Sequence, residues 1–271
     1  MLPQLSAAVR VLLCTRPPGE PQRLVVAGID PHTGKLATDY AGEVKQALEN
    51  VLTVLKAAHL SMANVVWTNP YLASADTGLA PNLPIGPIGH NGQAQDAQVS
   101  TMNKIYATYF EFGNTPGRGT TQIVDLPGHA HIAFVAIAGA DLSLRRSIQI
   151  RNMKPSATAS PGVLYRDTYY MSGKSGFIPD QGIVTQDIKL QLRQTMRNLL
   201  DDLQGLDLDF GDVVQASFCV REMKYAEDIV PLYESFFKGP YPAQSLMQNS
   251  FDLKTATGEQ ISFIAIRHSV D

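Results

Sequence analysis

Apolar residues recur along this chain in a helical register and then in a strand register, and the alternation runs through the chain twice. Val44, Leu48, Val51 and Leu55 fall at three- and four-residue spacings, which predicts an amphipathic helix ending near His59. Ile188, Leu192, Leu199 and Leu203 repeat the pattern. The segments that follow, NVVWTNPYLA and DVVQASFCV, are rich in β-branched and aromatic residues and predict strands. Each half continues with a shorter helix carrying Tyr and Phe, a proline turn, and a last strand, HIAFVAIAG or QISFIAIRH. Ahead of each first helix lies a hairpin pattern, AAVRVLLC with RLVVAG and GVLYR with TYYMSG. The unit is therefore β-β-α-β-α-β, an α+β layer with helices on one face of a mixed sheet. The other face of such a sheet needs cover, and oligomerisation is the usual source.

The two halves also match residue by residue. Asn50 corresponds to Asn198 and Val65-Val66 to Val213-Val214 at one common offset, while Tyr106 corresponds to Tyr233 at a shorter one. The difference assigns about 21 extra residues to the first half, within the Gly/Pro-rich stretch 74–101. A loop of that length is either filler, an oligomer contact or a lid, and His90 inside it reads as a solvated loop residue. The expected domains are 1–146 and 147–271.

Charge removes some classes of function. The chain has 271 residues, 22 basic against 25 acidic, and a formal net charge of -3, so no electrostatic excess favours nucleic acid or an anionic membrane. Cys14 and Cys219 stand far apart with no His/Cys cluster near them, so neither a metal site, a disulfide framework nor a cofactor is expected. They read as buried or half-buried thiols. No apolar stretch approaches the ~20 residues that span a bilayer, and the N-terminus lacks a signal-peptide pattern. A cytoplasmic location is the expectation.

One cation has an unusual setting. In TPGRGTTQIVDLP, Arg118 sits directly behind a Pro-Gly turn at the mouth of a strand. With MNKIYATYF before it, AGIDPHTGKL upstream and SPGVLYRDTYYMSG in the second half, the chain resembles the RidA family, also called YjgF or L-PSP endoribonuclease-like proteins, here as a tandem pair. The resemblance implies two chorismate-mutase-like domains, trimers of two-domain chains, and ligand clefts between adjacent domains. It also implies hydrolysis of reactive enamines and imines of 2-oxo acids, with release of ammonia.

By the same resemblance, Arg118 corresponds to the family's carboxylate-binding arginine, a task suited to a planar guanidinium fork, and Asn103 to its helix asparagine. The family's Ser-Gly pair is Ser172-Gly173 in the second half and Ala27-Gly28 in the first. Arg118 with Ser172 and Gly173 makes a composite site between the halves a specific expectation. Gln244 and Val230 replace the arginine and asparagine in the second half. Ala133 and Ser262 stand where the resemblance expects a water-activating glutamate, and neither can act as a strong general base. His131, two residues before Ala133 on the same strand face, is a candidate for that task, since histidine titrates near neutrality; His129 is a weaker one, and Tyr106 reads as core. Three outcomes remain open on these residues: a RidA-like imine or enamine hydrolase, a binding or scaffold protein for small carboxylates without turnover, and a different small-molecule enzyme on the same fold. Endoribonuclease activity rests on the family label alone and is opposed by the charge balance.

Overall fold

The computed structural model describes residues 22–73, 92–150, 154–179, 181, 185–249 and 257–267. The hairpin segment AAVRVLLC, Cys14 and His90 lie outside them.

The first half runs β1 (Gln22–Ala27), α1 (Tyr40–Ala57), β2 (Val65–Ala73), α2 (Gly92–Tyr106), β3 (Gly117–Arg118), β4 (Thr121–Ile123) and β5 (Ile132–Ala138). Its sheet has the order β1-β5-β2-β3, with β4 also on β2. β1 and β2 flank β5 antiparallel, while β3 and β4 lie parallel to β2. The second half runs β6 (Arg145–Ile148), β7 (Gly162–Tyr165), β8 (Thr168–Met171), α3 (Ile188–Gln204), β9 (Val213–Val220), α4 (Ala226–Glu234), β10 (Ala243–Gln248) and β11 (Glu259–Ile266). Its sheet has the order β10-β9-β11-β8-β7-β6. Between the second helix and the last strand lie strands that periodicity does not predict, β3 and β4 parallel to β2 in the first half and β10 parallel to β9 in the second. β6 pairs with β7, so the expected boundary between 146 and 147 falls inside a strand of the second sheet.

Both first helices start on aspartate caps. Asp39 accepts from Gly42 N at 2.6 Å, and Asp187 accepts from Lys189 N and Leu190 N, satisfying donors that the helix itself leaves unpaired. The matched asparagines perform the same task in each half. Asn50 Nδ2 donates to the carbonyls of Ala27 and Ile29, and Asn198 Nδ2 donates to those of Ser175 and Phe177. Each pins the chain leaving the hairpin to the middle of the first helix. The stretch 74–101 is corrected in part: residues 92–101 belong to α2. Its buried stripe is Gln98, Met102 and Tyr106, and a glutamine in that stripe weakens the apolar period that would have announced the helix.

Helices cover one face of each sheet. Val44, Leu48, Val51, Met102, Tyr106 and Phe134 share one core, and Leu192, Leu199, Phe218, Tyr233 and Phe263 share the other. A third cluster holds no helix: Val66, Trp67 and Val135 of the first sheet pack on Val163, Tyr165 and Tyr170 of the second. Part of each uncovered face is therefore buried within the chain itself, against the other half. Trp67 Nε1 donates across this seam to Met171 O at 3.0 Å. Gly117 is required there, because a Cβ would come within 2.6 Å of Tyr170 O.

The second core also holds a carboxyl group. Glu259 is 2 % exposed; Oε1 accepts from Thr195 Oγ1 at 2.5 Å and Oε2 has no hydrogen-bond partner. Burial outweighs the hydrogen bonds from Thr195 and Gly176 N, and pushes its pKa up to about 8. The folded state therefore holds a proton that the unfolded chain releases near the ordinary carboxylate range. The resulting stability is present below that range and is lost as pH rises toward 8. Comparing urea unfolding at pH 5 and pH 8, wild-type protein is expected to lose on the order of 3 kcal/mol more than Glu259→Gln.

Candidate anion-binding site

Arg118 occupies a two-residue strand whose two edges belong to different halves. On one edge it is in register with Thr68 of β2. On the other, its N–H donates to Ser172 Oγ at 2.8 Å and its carbonyl accepts from Gly173 N at 2.9 Å. Ser172 Oγ in turn donates to Ser160 O at 2.5 Å. Ser160 anchors the turn before β3: its N–H reaches Pro116 O and its hydroxyl reaches Thr115 O at 2.7 Å. The second half thus completes the edge of the first sheet and fixes the Arg118 backbone.

The side chain, by contrast, is sparsely partnered. Arg118 Nη1 donates to Asn103 Oδ1 at 2.7 Å and lies 4.0 Å from Met102 Sδ. The guanidinium stands 5.3 Å from the centre of the Tyr106 ring, a cation–π contact. Tyr106 is fully buried, and its hydroxyl pairs with Thr68 Oγ1 at 2.8 Å. Burial pushes the Tyr106 pKa up to about 12, offset in part by Arg118. Burial also lowers the pKa of Arg118, but a guanidinium stays charged throughout the working range of proteins. Among the described residues no carboxylate pairs with it.

Arg118, Asn103, Ser172 and Gly173 therefore come together, drawn from both halves. Ser172 and Gly173 do so through the Arg118 backbone. The hydroxyl hydrogen of Ser172 is spent on Ser160 O and the N–H of Gly173 on Arg118 O, so both act here by holding the arginine. Gln260, not singled out from the pattern, packs on Gly173: a Cβ there would lie 2.3 Å from its Nε2. Its place two residues before Ser262, on the same strand face, was the available signal. Ser262 is 8 % exposed and lies close to Gly119, the residue after Arg118.

Gly28 and His131 lie elsewhere, a correction to their grouping with Arg118. His131 O accepts from Ala73 N, five residues along β2 from Thr68, so roughly 16 Å separates it from Arg118 along the strands. It is buried, with Nδ1 2.8 Å from Glu43 Oε2. Oε1 of the same carboxylate accepts from His131 N at 2.5 Å and from Ile132 N at 3.1 Å. Gly28 packs on the same glutamate, where a Cβ would meet Glu43 Cγ at 2.4 Å. Glu43 thus ties α1 to the start of β5, and His131 serves that tie. Ala133 is buried among Ala73, Leu126 and Ala130. His129 is an exposed residue 3.9 Å from Asp125. Gln244 is exposed on β10, and Cys219 is buried, its thiol pushed up to about 11 by burial. Among the described residues no group of three His, Cys, Asp or Glu side chains is placed to hold a metal ion, and no helix is long and apolar enough to cross a membrane.

Two helix-covered sheets, joined at a strand edge that carries a half-buried arginine, define a duplicated α+β domain. The chain belongs to the Endoribonuclease L-PSP family, also called RidA or YjgF: the family model matches residues 21–80 and again 149–254. The 2-iminobutanoate/2-iminopropanoate deaminase of Rattus norvegicus is 36 % identical over 112 residues, 41 % of this chain and 66 % of that protein. The Homo sapiens protein of the same name is 33 % identical over the same length. The chain spans about two thirds of the length of these relatives. Among solved structures, a Rid family protein of unknown function from Yersinia pestis is 24 % identical, with a TM-score of 0.42, covering 45 % of this chain and 99 % of that one.

A half-buried cation without a counter-charge costs stability. Arg118→Met, of similar length, is expected to raise the thermal midpoint by a few degrees. Differential scanning calorimetry checks that expectation; a lowered midpoint would mean that the arginine is structural.

Proposed function

We propose that this chain binds small 2-oxo-type carboxylates at the Arg118 seam and hydrolyses the corresponding imines and enamines. The observation that carries this is the half-buried guanidinium with one hydrogen-bonded partner, Asn103, and no carboxylate among the described residues. Such a group is ready to take a carboxylate in a two-point grip. Similarity to the 2-iminobutanoate/2-iminopropanoate deaminases supplies the reaction. Water adds to the C=N carbon, and the resulting carbinolamine expels its nitrogen as ammonia, leaving the 2-oxo acid. Arg118 holds the carboxylate next to the reacting carbon, and the neutral amide of Asn103 is the group at hand to orient water and nitrogen.

Binding without turnover is the second reading, favoured by the absence of a general base at Ala133 and Ser262 and by the remoteness of His131. Both readings meet one experiment, in which 2-iminobutanoate is generated in situ and its decay is followed with and without protein. The expected result is an acceleration that falls about 100-fold in Arg118→Ala, the usual scale for losing one side of a desolvated charge pair. Thermal stabilisation by 2-oxobutanoate with no acceleration supports the second reading instead. No response in either assay removes both.

We also read the chain as a homo-oligomer, a trimer of two-domain chains. Among the described residues β10 pairs only with β9 and is largely exposed, whereas the matching edge of β3 is sealed by Ser172 and Gly173. An open edge is a pairing site, and Ala27-Gly28 of a second chain matches, by the repeat, the Ser172-Gly173 pair that seals β3. Sedimentation equilibrium should give three times the mass of a 29.5 kDa chain, and a Gln244→Pro substitution should shift the protein toward smaller species. A monomer at micromolar concentration refutes this reading.

A further inference from the structure

Beyond Arg118, the seam between α2 and the sheet edge contains buried amide groups that the protein does not satisfy. Gln122 on β4 is fully buried, yet neither its Nε2 nor its Oε1 has a hydrogen-bond partner. Only its backbone is engaged, donating to Asn249 Oδ1 at 2.9 Å. Gln98 on α2 is 6 % exposed; its Nε2 makes one long bond of 3.5 Å to Ala73 O, and its Oε1 has no partner. Leaving such groups unpaired is costly, and native structures rarely do so without a reason.

Register and helical spacing put these amides on the arginine's side of the sheet. Gln122 is in register with Leu72, which belongs to the helix-covered core. The next pair, Ala73 with Ile123, lies in the cluster on the opposite face. Arg118 is in register with Thr68, whose hydroxyl also points to α2, at Tyr106. On the helix, Gln98 precedes Met102 by one turn, and Met102 touches the guanidinium. Arg118 and Gln122 thus stand about 13 Å apart along the edge, from four residues of strand.

We propose that the Arg118 seam is a two-ended site for a short 2-oxo acid, or its imine, that carries a carboxamide at the far end. Arg118 takes the carboxylate, and Gln122, with Gln98, takes the amide. A primary carboxamide both donates and accepts, so it can pair head-to-head with the Gln122 amide and satisfy Nε2 and Oε1 together. A second carboxylate would satisfy the donor and repel the acceptor, and an alkyl end would leave both unpaired. This proposal rests on the reading of Arg118 as a carboxylate grip.

Isothermal titration at pH 7 with 2-oxobutanoate, 2-oxohexanoate, 2-oxoglutarate and 2-oxoglutaramate separates the two. The last three have nearly equal length and differ only at the far end. The expected result is that 2-oxoglutaramate binds about tenfold tighter than 2-oxohexanoate, with 2-oxoglutarate between them. In Gln122→Leu the ratio collapses to about one. Thermal unfolding of that variant confirms that it is folded, and Gln98→Leu, which shortens the same end from the helix side, should reduce the ratio part of the way. Equal affinities in the wild-type protein, as expected if ordered water alone satisfies the amides, overturn the far-end proposal and leave the carboxylate grip standing. A ratio retained in Gln122→Leu also overturns it. Failure of all four acids to bind removes the grip and this extension together.

Discussion

The peptide of Arg118 is the joint on which the two halves of this molecule meet. Its N–H and carbonyl are both taken by the second half, through Ser172 Oγ and Gly173 N, in a strand only two residues long. A strand that short has little pairing of its own, so its position is set by what seals its outer edge. Sealing also determines where the side chain goes. With the backbone held, the guanidinium is directed over Tyr106 and toward Asn103. The apolar contact of Trp67 and Val135 with Tyr165 and Tyr170 supplies the bulk of the attraction between the halves, while the peptide bonds set its register.

Duplication within one chain allows the two sides of such a joint to diverge. In the first half the edge strand carries Arg118 and the helix carries Asn103; the matching positions in the second half are Gln244 and Val230. In the second half the cap is Ser172-Gly173, while in the first it is Ala27-Gly28, with Gly28 packed on Glu43. Cation and cap survive where they face each other inside the chain. The complementary positions have drifted to residues that cannot repeat the arrangement, because an alanine has no hydroxyl and a glutamine no charge.

How far the sequence discloses this depends on how local the signal is. Helices α1 and α3 are announced by their apolar period, and the correspondence of Asn50 with Asn198 in the sequence marks the hydrogen-bonding device that both halves share. The pairing of Arg118 with Ser172 and Gly173 is legible only through the repeat, since 54 residues separate the arginine from the serine. Other features carry no local trace. Glu43 and His131 lie 88 residues apart, so a histidine that the sequence offers as a candidate base is in fact tied to a carboxylate on α1. Gln98 looks like loop composition, because a polar residue in a buried helical stripe breaks the very pattern by which helices are recognised. Gln260 lies one alternation from Ser262, and only the close approach of Gly173 distinguishes it from any other strand residue.

Partner accounting separates the buried charges of this protein by purpose. Glu43 accepts from two backbone N–H groups and pairs with an imidazole, so it is fully used within the fold. Asp202 sits 2.8 Å from Lys174 Nζ, and burial pushes its pKa up to about 6 against the pull of that lysine. Glu259 lacks a cation, but a carboxyl group can escape the cost of burial by keeping its proton, and burial pushes its pKa in that direction. Arg118 has neither remedy. It cannot shed its proton, its one strong hydrogen bond goes to a neutral amide, and the ring beneath it offers only a weak attraction. A charge that the fold neither neutralises nor pairs is the feature on which the proposed carboxylate grip rests.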